Sequence, residues 1–511
     1  MLPSKRYAMS SVFTIENRYE RPYVSLLLIL LSLKAVLSLL LIGFYDVNLA
    51  PDEAQYWTWS QAMDFGYYSK PPGIAWQIFL TTSIFGNNEF GVRFGAVVIA
   101  FFLPLVTFAM TRFANGLTRT AFWAAIVMAF SPIGIFLSFM ATTDGGMMLF
   151  LTLGICSVMR GLVDQEGPNY PLAGVWILLG ALYKWTAFIL WPVTLFFFIF
   201  FPRLRRWSII WGIAISLLAL IPTLYWNWGH DFATFKHVGR TITKKIGSGN
   251  FLDFFFAQLG LFSPIYWGLL FCSYFYMRAR PLIYCAAFPF LLVFYFIAAF
   301  FKQLQPNWGL FLYPAATLPV AWFAVEKMKN GRVWLHLGSW MAIAFSLFAL
   351  SIPLFQKYDL LPIPYKVNPF RQNVGWSEIE EALVMRGYNP DKDFLFGDKY
   401  QTASLLSFYG PKQKRAYFFN LHGDRKNQFS YWPQIEDSGM TGFFVVLENT
   451  GKEAFDWYKQ HYEMKLSPYF GKVEYMGASP LFFCCKKPVK HAIIFRCTDF
   501  NGCSPASIEK Y

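Results

Sequence analysis

The stretch Tyr23-Val-Ser-Leu-Leu-Leu-Ile-Leu-Leu-Ser-Leu-Lys-Ala-Val-Leu-Ser-Leu-Leu-Leu-Ile-Gly-Phe44 decides the fold class. An apolar run of about 17–25 residues, rising about 1.5 Å per residue, crosses a hydrocarbon core about 30 Å thick, and this run has the required length. It is too long for the apolar region of a cleaved signal peptide, and no small-residue cleavage site follows it, so it reads as a retained first helix. It leads into Ala50-Pro51-Asp52-Glu53, two adjacent carboxylates placed where the chain leaves the apolar phase.

Runs of the same kind recur at 93–110, 120–139, 145–159, 207–226, 251–277, 282–300, 309–325 and 333–353. The apolar run 171–201 is interrupted by Lys184. An ammonium at mid-bilayer costs about 3 kcal/mol or more, so this run is expected to form two short helices that meet near Lys184 at one membrane face. Together these segments give eleven crossings, within a range of 11–13 helices while 73–85 and 171–201 stay open. Composition agrees: 56% of the 511 residues are hydrophobic and 14% are charged, too much apolar side chain for a polar surface to cover. The expected fold is a polytopic α-helical membrane domain over 1–356, with a first external loop at 45–92, followed by a soluble α/β domain over 357–511. In that tail, 442–447 and 480–485 read as buried strands, 376–385 as a helix and 361–369 as a Pro-rich linker.

Charge orients the chain. Lys5, Arg6, Arg18 and Arg21, then Arg112/Arg119, Arg160, Arg203/Arg205/Arg206, Arg278/Arg280 and Lys327/Lys329/Arg332 all fall on one side if eleven crossings are used. Short basic connections are cytoplasmic, so the acidic first loop and the tail are expected outside. Lys236, Arg240, Lys244 and Lys245 break the pattern: either their external loop binds an anion, or the parity fails there. The net charge of +14 sits at membrane-flanking positions, which points to anionic lipid and away from nucleic acid. Cys484, Cys485, Cys497 and Cys503 share the exported tail, where a bridge such as Cys497 with Cys503 and free or buried thiols are both open.

Costly polar groups at a membrane boundary mark the candidate chemistry. Of Asp52 and Glu53, one carboxylate suits a general base for an acceptor hydroxyl, while the other orients it or helps hold a divalent metal ion; alternatively both cap the following helix. Lys70, fixed by Pro71 and Pro72, presents an ammonium suited to a lipid phosphate, or simply snorkels. Asp144, in Met140-Ala-Thr-Thr-Asp-Gly-Gly146, opens a crossing on the same face, with glycines that permit close approach, and Lys184 adds a second cation there. The clustering of these charges at one face, and not at mid-span, favours interfacial chemistry over a transporter.

The ordered set Asp52-Glu-Ala, Lys70-Pro-Pro, Thr143-Asp and Leu182-Tyr-Lys-Trp-Thr-Ala resembles the GT-C superfamily of glycosyltransferases, specifically its protein O-mannosyltransferase and aminoarabinose-lipid A transferase group. Tyr225-Trp-Asn-Trp228, Asp231-Phe-Ala-Thr-Phe-Lys-His237, Gln305-Pro-Asn-Trp308 with Tyr313-Pro314, Gly375-Trp376, Tyr400-Gln401 and Arg425-Lys-Asn-Gln428 extend the match into the tail. The resemblance implies a bacterial inner-membrane enzyme. It would move a sugar, with inversion, from a polyprenyl-phosphate donor to lipid A, another glycolipid or a protein on the periplasmic side. It also implies site roles: Asp52 as base, Glu53 as its partner, Asp144 as the second acid, and Lys70, Lys184 and Arg240 at the donor phosphate. Gln55, Tyr56, Tyr67, Tyr68, Asn227, His237 and Asn307 would line the cavity. Gln55 stands where the aminoarabinose group usually has an arginine, and Ser69 where an acid commonly precedes Lys-Pro-Pro, which weakens both a phosphate contact and a bound metal. No cofactor is implied with certainty, and a divalent ion stays open.

Overall fold

The computed structural model describes residues 20–44, 47–163, 167–243, 247–449 and 455–505; Lys5, Arg6, Arg18, Lys244 and Lys245 lie outside them. The first four helices are α1 (Arg21–Phe44), α2 (Pro51–Gln61), α3 (Gly73–Phe85) and α4 (Glu89–Asn115). Among the described residues, seven helices are long and apolar enough to cross a membrane, and eight if the bent pair Phe251–Phe262 and Pro264–Tyr276 counts as one span. The other three of the eleven expected segments form the shorter apolar helices Thr118–Phe130, Tyr170–Tyr183 and Trp185–Phe197. The chain is a multi-pass membrane protein. On α1, Leu26, Ile29, Leu33, Val36 and Leu40 remain exposed, the signature of a helix that faces lipid and not only protein.

Two breaks in the helical bundle have local causes. The run 171–201 divides as its lysine requires: the Tyr170–Tyr183 helix ends at Lys184, which is extended (φ −159°, ψ 128°), and a 3-10 turn at Trp185–Ile189 starts the next element. The run 251–277, expected as one straight crossing, is instead bent by 93°. Ser263 takes φ 80° there, and Pro264 supplies neither an amide donor nor room for the preceding turn, so the helix cannot continue through it.

After the Gly331–Lys357 helix the chain becomes an α/β unit. The linker is not loose: Gln356 Nε2 donates to the Ile363 and Pro364 carbonyls at 3.1 and 3.2 Å, and a 3-10 turn occupies Tyr365–Val367. Five strands follow: β1 (Phe394–Gly397), β2 (Tyr417–Phe418), β3 (Gly442–Glu448), β4 (Phe470–Cys484) and β5 (Lys487–Phe500). They form one sheet in the order β2-β1-β3-β5-β4, parallel from β2 to β3 and antiparallel from β3 to β4. The segments 442–447 and 480–485 fall in β3 and at the end of β4, and 376–385 carries the Ile379–Val384 helix. Of the two alternatives open for the tail cysteines, the structure has free thiols: all seven cysteines are free, with Cys497 buried in the sheet's aromatic core and Cys503 exposed.

The first loop, 45–92, and the tail share a hydrophobic core. Trp57 of α2 packs edge-on against Phe408 of the Tyr400–Tyr409 helix, with ring centroids 4.9 Å apart, among Ala54, Leu405, Leu406 and Phe443. Hydrogen bonds stitch the same seam: Trp376 N to Asn48 Oδ1 at 2.7 Å, Leu49 N to the Tyr409 hydroxyl at 2.6 Å, and Tyr68 N to Gln428 Oε1 at 2.7 Å. Truncating such a buried tryptophan costs about 3–5 kcal/mol. Trp57→Ala is therefore expected to lower the thermal unfolding midpoint and to make the tail separately cleavable in a limited proteolysis time course.

Candidate active site

Asp52 and Glu53 follow Pro51 in the first turn of α2, where the ring of Pro51 pre-sets the helical backbone and the open amides favour acids. Successive helical residues diverge by about 100°, so the two carboxylates leave the helix in different directions. Glu53 turns inward and is fully engaged. Its Oε1 and Oε2 accept from Arg93 Nε at 3.0 Å and Nη2 at 2.8 Å, from Ala141 N at 2.9 Å and from Ala50 N at 2.9 Å. Arg93, on α4, also donates to the Val47 and Asn48 carbonyls at 2.8 and 2.9 Å. Glu53 thus caps α2 and ties it to the segment that carries Asp144. Asp52 keeps accessible surface although protein crowds its carboxylate. That burial raises its carboxyl pKa, with the Lys70 charge pulling the other way.

Tyr56 and Lys70 each feel both Asp52 and Asp144, and Asp144 is paired: Lys184 Nζ lies 2.7 Å from Asp144 Oδ1 and Asn307 Nδ2 3.4 Å from Oδ2. The pair exists because two glycines allow it. A Cβ at Gly146 would lie 2.6 Å from the Tyr183 ring, and one at Gly73 would lie 2.7 Å from the Leu182 carbonyl oxygen, so the Thr143–Val163 helix, α3 and the segment carrying Lys184 close up only on bare backbone. Lys70, half-buried, lies within electrostatic reach of Asp52, Asp144, Lys184 and Arg425; burial, then the Lys184 charge, push its ammonium pKa down. Tyr56, one turn beyond Asp52, is buried among Asp52, Asp144, Tyr400 and Thr143, and its phenol stays protonated because burial and those acids raise its pKa.

The remaining candidates divide by position. Tyr68 belongs to the recess wall: its ring lies 5.0 Å from that of His237 and 6.1 Å from that of Tyr431. His237 is half-buried on the Ala233–Thr243 helix, and burial together with Arg425 and Lys70 pushes its pKa down to about 4. Arg240 is on the same helix, exposed, with its charge felt at Tyr68. Gln55 is buried within α2. Tyr67 and Asn227, expected in the cavity, belong to one hydrogen-bonded unit. Tyr67 stacks on Trp59 at 4.6 Å and donates to the Trp59 carbonyl at 3.0 Å, while Asn227 holds Thr234, which donates to the Tyr67 carbonyl at 3.1 Å. Both are fully buried.

Three site residues escaped assignment from the sequence. Arg93 closes the Glu53 pair, and Tyr400 and Arg425 reach the recess from the tail: Arg425 Nη1 lies 2.9 Å from His237 Nδ1, and its charge acts on Asp52, Tyr68 and Tyr400. Tyr400-Gln401 and Arg425-Lys-Asn-Gln428 are recognisable as motifs, but nothing local in them says that they meet the first loop.

The chain as a whole has counterparts among known proteins. Residues 69–226 match the family model described as dolichyl-phosphate-mannose-protein mannosyltransferase. The lipid A galacturonosyltransferase RgtD of Rhizobium johnstonii is 27% identical over 336 residues, covering 63% of this chain and 70% of that one. The crystal structure of ArnT from Cupriavidus metallidurans bound to undecaprenyl phosphate superposes with a TM-score of 0.61 over 93% of this chain and 98% of that one, at 13% identity. The chain has a GT-C glycosyltransferase fold. A shorter similarity links this glycosyltransferase to the undecaprenyl phosphate-α-4-amino-4-deoxy-L-arabinose arabinosyl transferase of Pseudomonas aeruginosa, 32% identical over 164 residues, 28% of this chain and 30% of that protein. In the glycosyltransferase, the matched region 69–226 holds Lys70, Asp144 and Lys184, so the model covers most of the recess but not α2 or the tail.

Proposed function

We propose that this enzyme transfers a sugar from a polyprenyl-phosphate carrier to a hydroxyl of lipid A or another glycolipid, on the periplasmic side of a bacterial inner membrane. The observation that carries the reading is the division of labour between the adjacent acids: Glu53 is consumed by Arg93, which leaves Asp52 alone and accessible beside Lys70. The acceptor oxygen attacks the anomeric carbon while Asp52 takes its proton. The bond from that carbon to the phosphate oxygen breaks, its electron pair leaves on the phosphate, and Lys70 offsets the charge that develops there. One displacement inverts configuration. Orientation with the cationic connections inside puts the recess outside, and the basic helix Ala233–Thr243 then serves an anionic substrate instead of contradicting the charge rule. A resident divalent ion does not fit the donor set: to share Asp144 with Asp52 it would have to displace Lys184 and Asn307, and the remaining groups are cations suited to an anion.

The reading is tested with the purified chain in lipid nanodiscs and a synthetic undecaprenyl-phosphate sugar, by following acceptor-dependent release of undecaprenyl phosphate. Release at the same rate without acceptor would sink it. The pH profile supplies a second check. Asp52 must be deprotonated to act and its pKa is raised, so the acid limb of kcat/KM lies at higher pH than that of a free aspartate; Lys70 must be protonated and its pKa is lowered, so the alkaline limb lies below that of a free lysine. Lys70→Arg, which stays charged, should carry the alkaline limb outward; an unmoved limb would remove Lys70 from the phosphate.

A further inference from the structure

The sheet of the tail changes direction at β1: the chain leaves it for β2 on one side and returns to β3 on the other, with all three strands parallel. The carboxyl ends of strands at such a switch are where an α/β sheet presents groups to a ligand. Asp398 follows β1 there and is buried, and two residues later Tyr400 opens the helix that packs on α2. His422 follows β2 and stands three residues before Arg425. One carboxylate oxygen joins these two chain segments. His422 Nε2 lies 3.1 Å from Asp398 Oδ2, and the hydroxyl of Tyr462, on the Phe455–Leu466 helix, donates to the same oxygen at 2.6 Å. A carboxylate only accepts, so Nε2 carries a proton and donates. Bonds to an ionised acceptor are about twice as strong as neutral ones, which suits this oxygen to hold both partners.

The segment 419–428 runs between two anchors. At one end Phe419 N donates to the Gly397 carbonyl at 2.9 Å, Lys465 Nζ donates to the Leu421 carbonyl at 3.2 Å, and His422 meets Asp398. At the other end Gln428 accepts from Tyr68 N of the first loop. Between them Asp424 N donates to Asn420 Oδ1 at 2.7 Å and Asn420 Nδ2 donates to the Asp424 carbonyl at 2.8 Å, a closed turn from which Arg425 departs. Arg425 hydrogen-bonds the Tyr68 and Tyr400 hydroxyls, and its charge acts on Asp52 and Lys70.

We propose that Asp398, His422 and Tyr462 are positioning residues: they lock the segment that carries Arg425 to the helix start that carries Tyr400, and so set the guanidinium against Asp52 and Lys70. The inference rests on the polyprenyl-phosphate reading above, and it gives the tail a task in the reaction without any of the three touching substrate. A displacement of about 1 Å at a reacting centre can cost about 10²-fold, so an arginine on a long side chain has its effect only where its backbone is held.

Lys70 reports where Arg425 stands. The charged groups that face it are Lys184, Asp144, Asp52 and Arg425; burial and the two cations lower its pKa, and the two acids raise it. Withdrawal of Arg425 therefore raises the Lys70 pKa. Loss of the Asp398 charge acts directly with the opposite sign, because a missing negative charge disfavours an ammonium. The direction of the shift thus separates displacement of Arg425 from a plain change of charge.

The test follows binding of undecaprenyl phosphate to the full-length protein in lipid nanodiscs across the neutral and alkaline range. Wild-type binding should fall on the alkaline side as Lys70 loses its proton, and Lys70→Met should lack that limb. Arg425→Gln should carry the limb to higher pH, and Asp398→Ala should produce most of the same upward shift. Asp398→Asn, which keeps an acceptor oxygen, should restore part of the wild-type profile. Tyr462→Phe changes no charge and keeps its ring 4.9 Å from that of Phe444, so it should fold and shift the limb upward by less; it decides the matter if Asp398→Ala does not fold. In an Arg425→Gln background Asp398→Ala should add no upward shift. A limb that stays in place or moves down in Asp398→Ala and Tyr462→Phe, or one that Arg425→Gln leaves unmoved, overturns the inference alone. Absence of binding to the wild type, or a Lys70→Met profile equal to that of the wild type, removes the donor reading itself, and this inference with it.

Discussion

Asp52→Asn is expected to reduce transfer by about 10²–10⁴-fold, the usual contribution of a positioned general base, while leaving the chain folded and inserted. The asparagine is nearly the same shape and keeps the first turn of α2, and Asp52 accepts no hydrogen bond on which the helix start depends; Glu53 performs that task through Ala50 N. The loss should therefore appear in kcat with little change in thermal stability. Because the Asp52 carboxylate also draws on Lys70, the Asn variant should bind undecaprenyl phosphate as tightly as the wild type or more tightly, for the Lys70 charge is then free for the phosphate. A variant that transfers normally would make Asp52 an ornament of the helix N-terminus.

The second large effect is expected at a residue that does not face the recess. Arg93→Met removes five donors from a buried cluster and leaves the Glu53 carboxylate without its counter-charge, a change that costs about 3–5 kcal/mol. Glu53 is the shared acceptor for Arg93, Ala50 N and Ala141 N, so the start of α2 and the approach to Asp144 should loosen together. The unfolding midpoint should fall, and activity should fall with it. The double variant Arg93→Met, Glu53→Gln, which removes both charges, should regain part of the stability but not reach the wild type. Damage in the double variant smaller than in Arg93→Met alone would show that the two residues act as one unit, whereas simple additivity would show that they act apart.

How much of this was legible in the sequence follows from how local each signal is. Hydrophobic runs report spans because the bilayer acts on every residue of a segment at once, and Lys184 marked its break because one charge outweighs several leucines at mid-span. Asp52, Lys70, Asp144 and Lys184 were visible as charges that an apolar chain would not carry idly. The 93° bend at Ser263 was hidden in a continuous apolar run, although Pro264 stood beside it. The two acids of the first loop looked equivalent because a linear reading does not show which side of a helix each one takes; only Arg93, forty residues away, separates them. The roles of Arg425 and Tyr400 depended on a contact between the first loop and a sheet domain more than three hundred residues later, for which no local periodicity exists. The hydrogen bonds that Tyr67 and Asn227 make were hidden for a related reason: their partners lie on other segments of the chain.

The most direct test of the central claim compares surface glycolipids by mass spectrometry in cells that carry the wild type, Asp52→Asn or no copy of the gene, with membrane levels of the protein measured in parallel. Loss of one sugar-sized mass from the glycolipid in both altered strains, with the Asn variant present at normal level, is the predicted result, and the mass names the sugar class. An unchanged glycolipid profile in the Asn strain, beside a changed one in the strain lacking the gene, would contradict the assignment of Asp52 as the base.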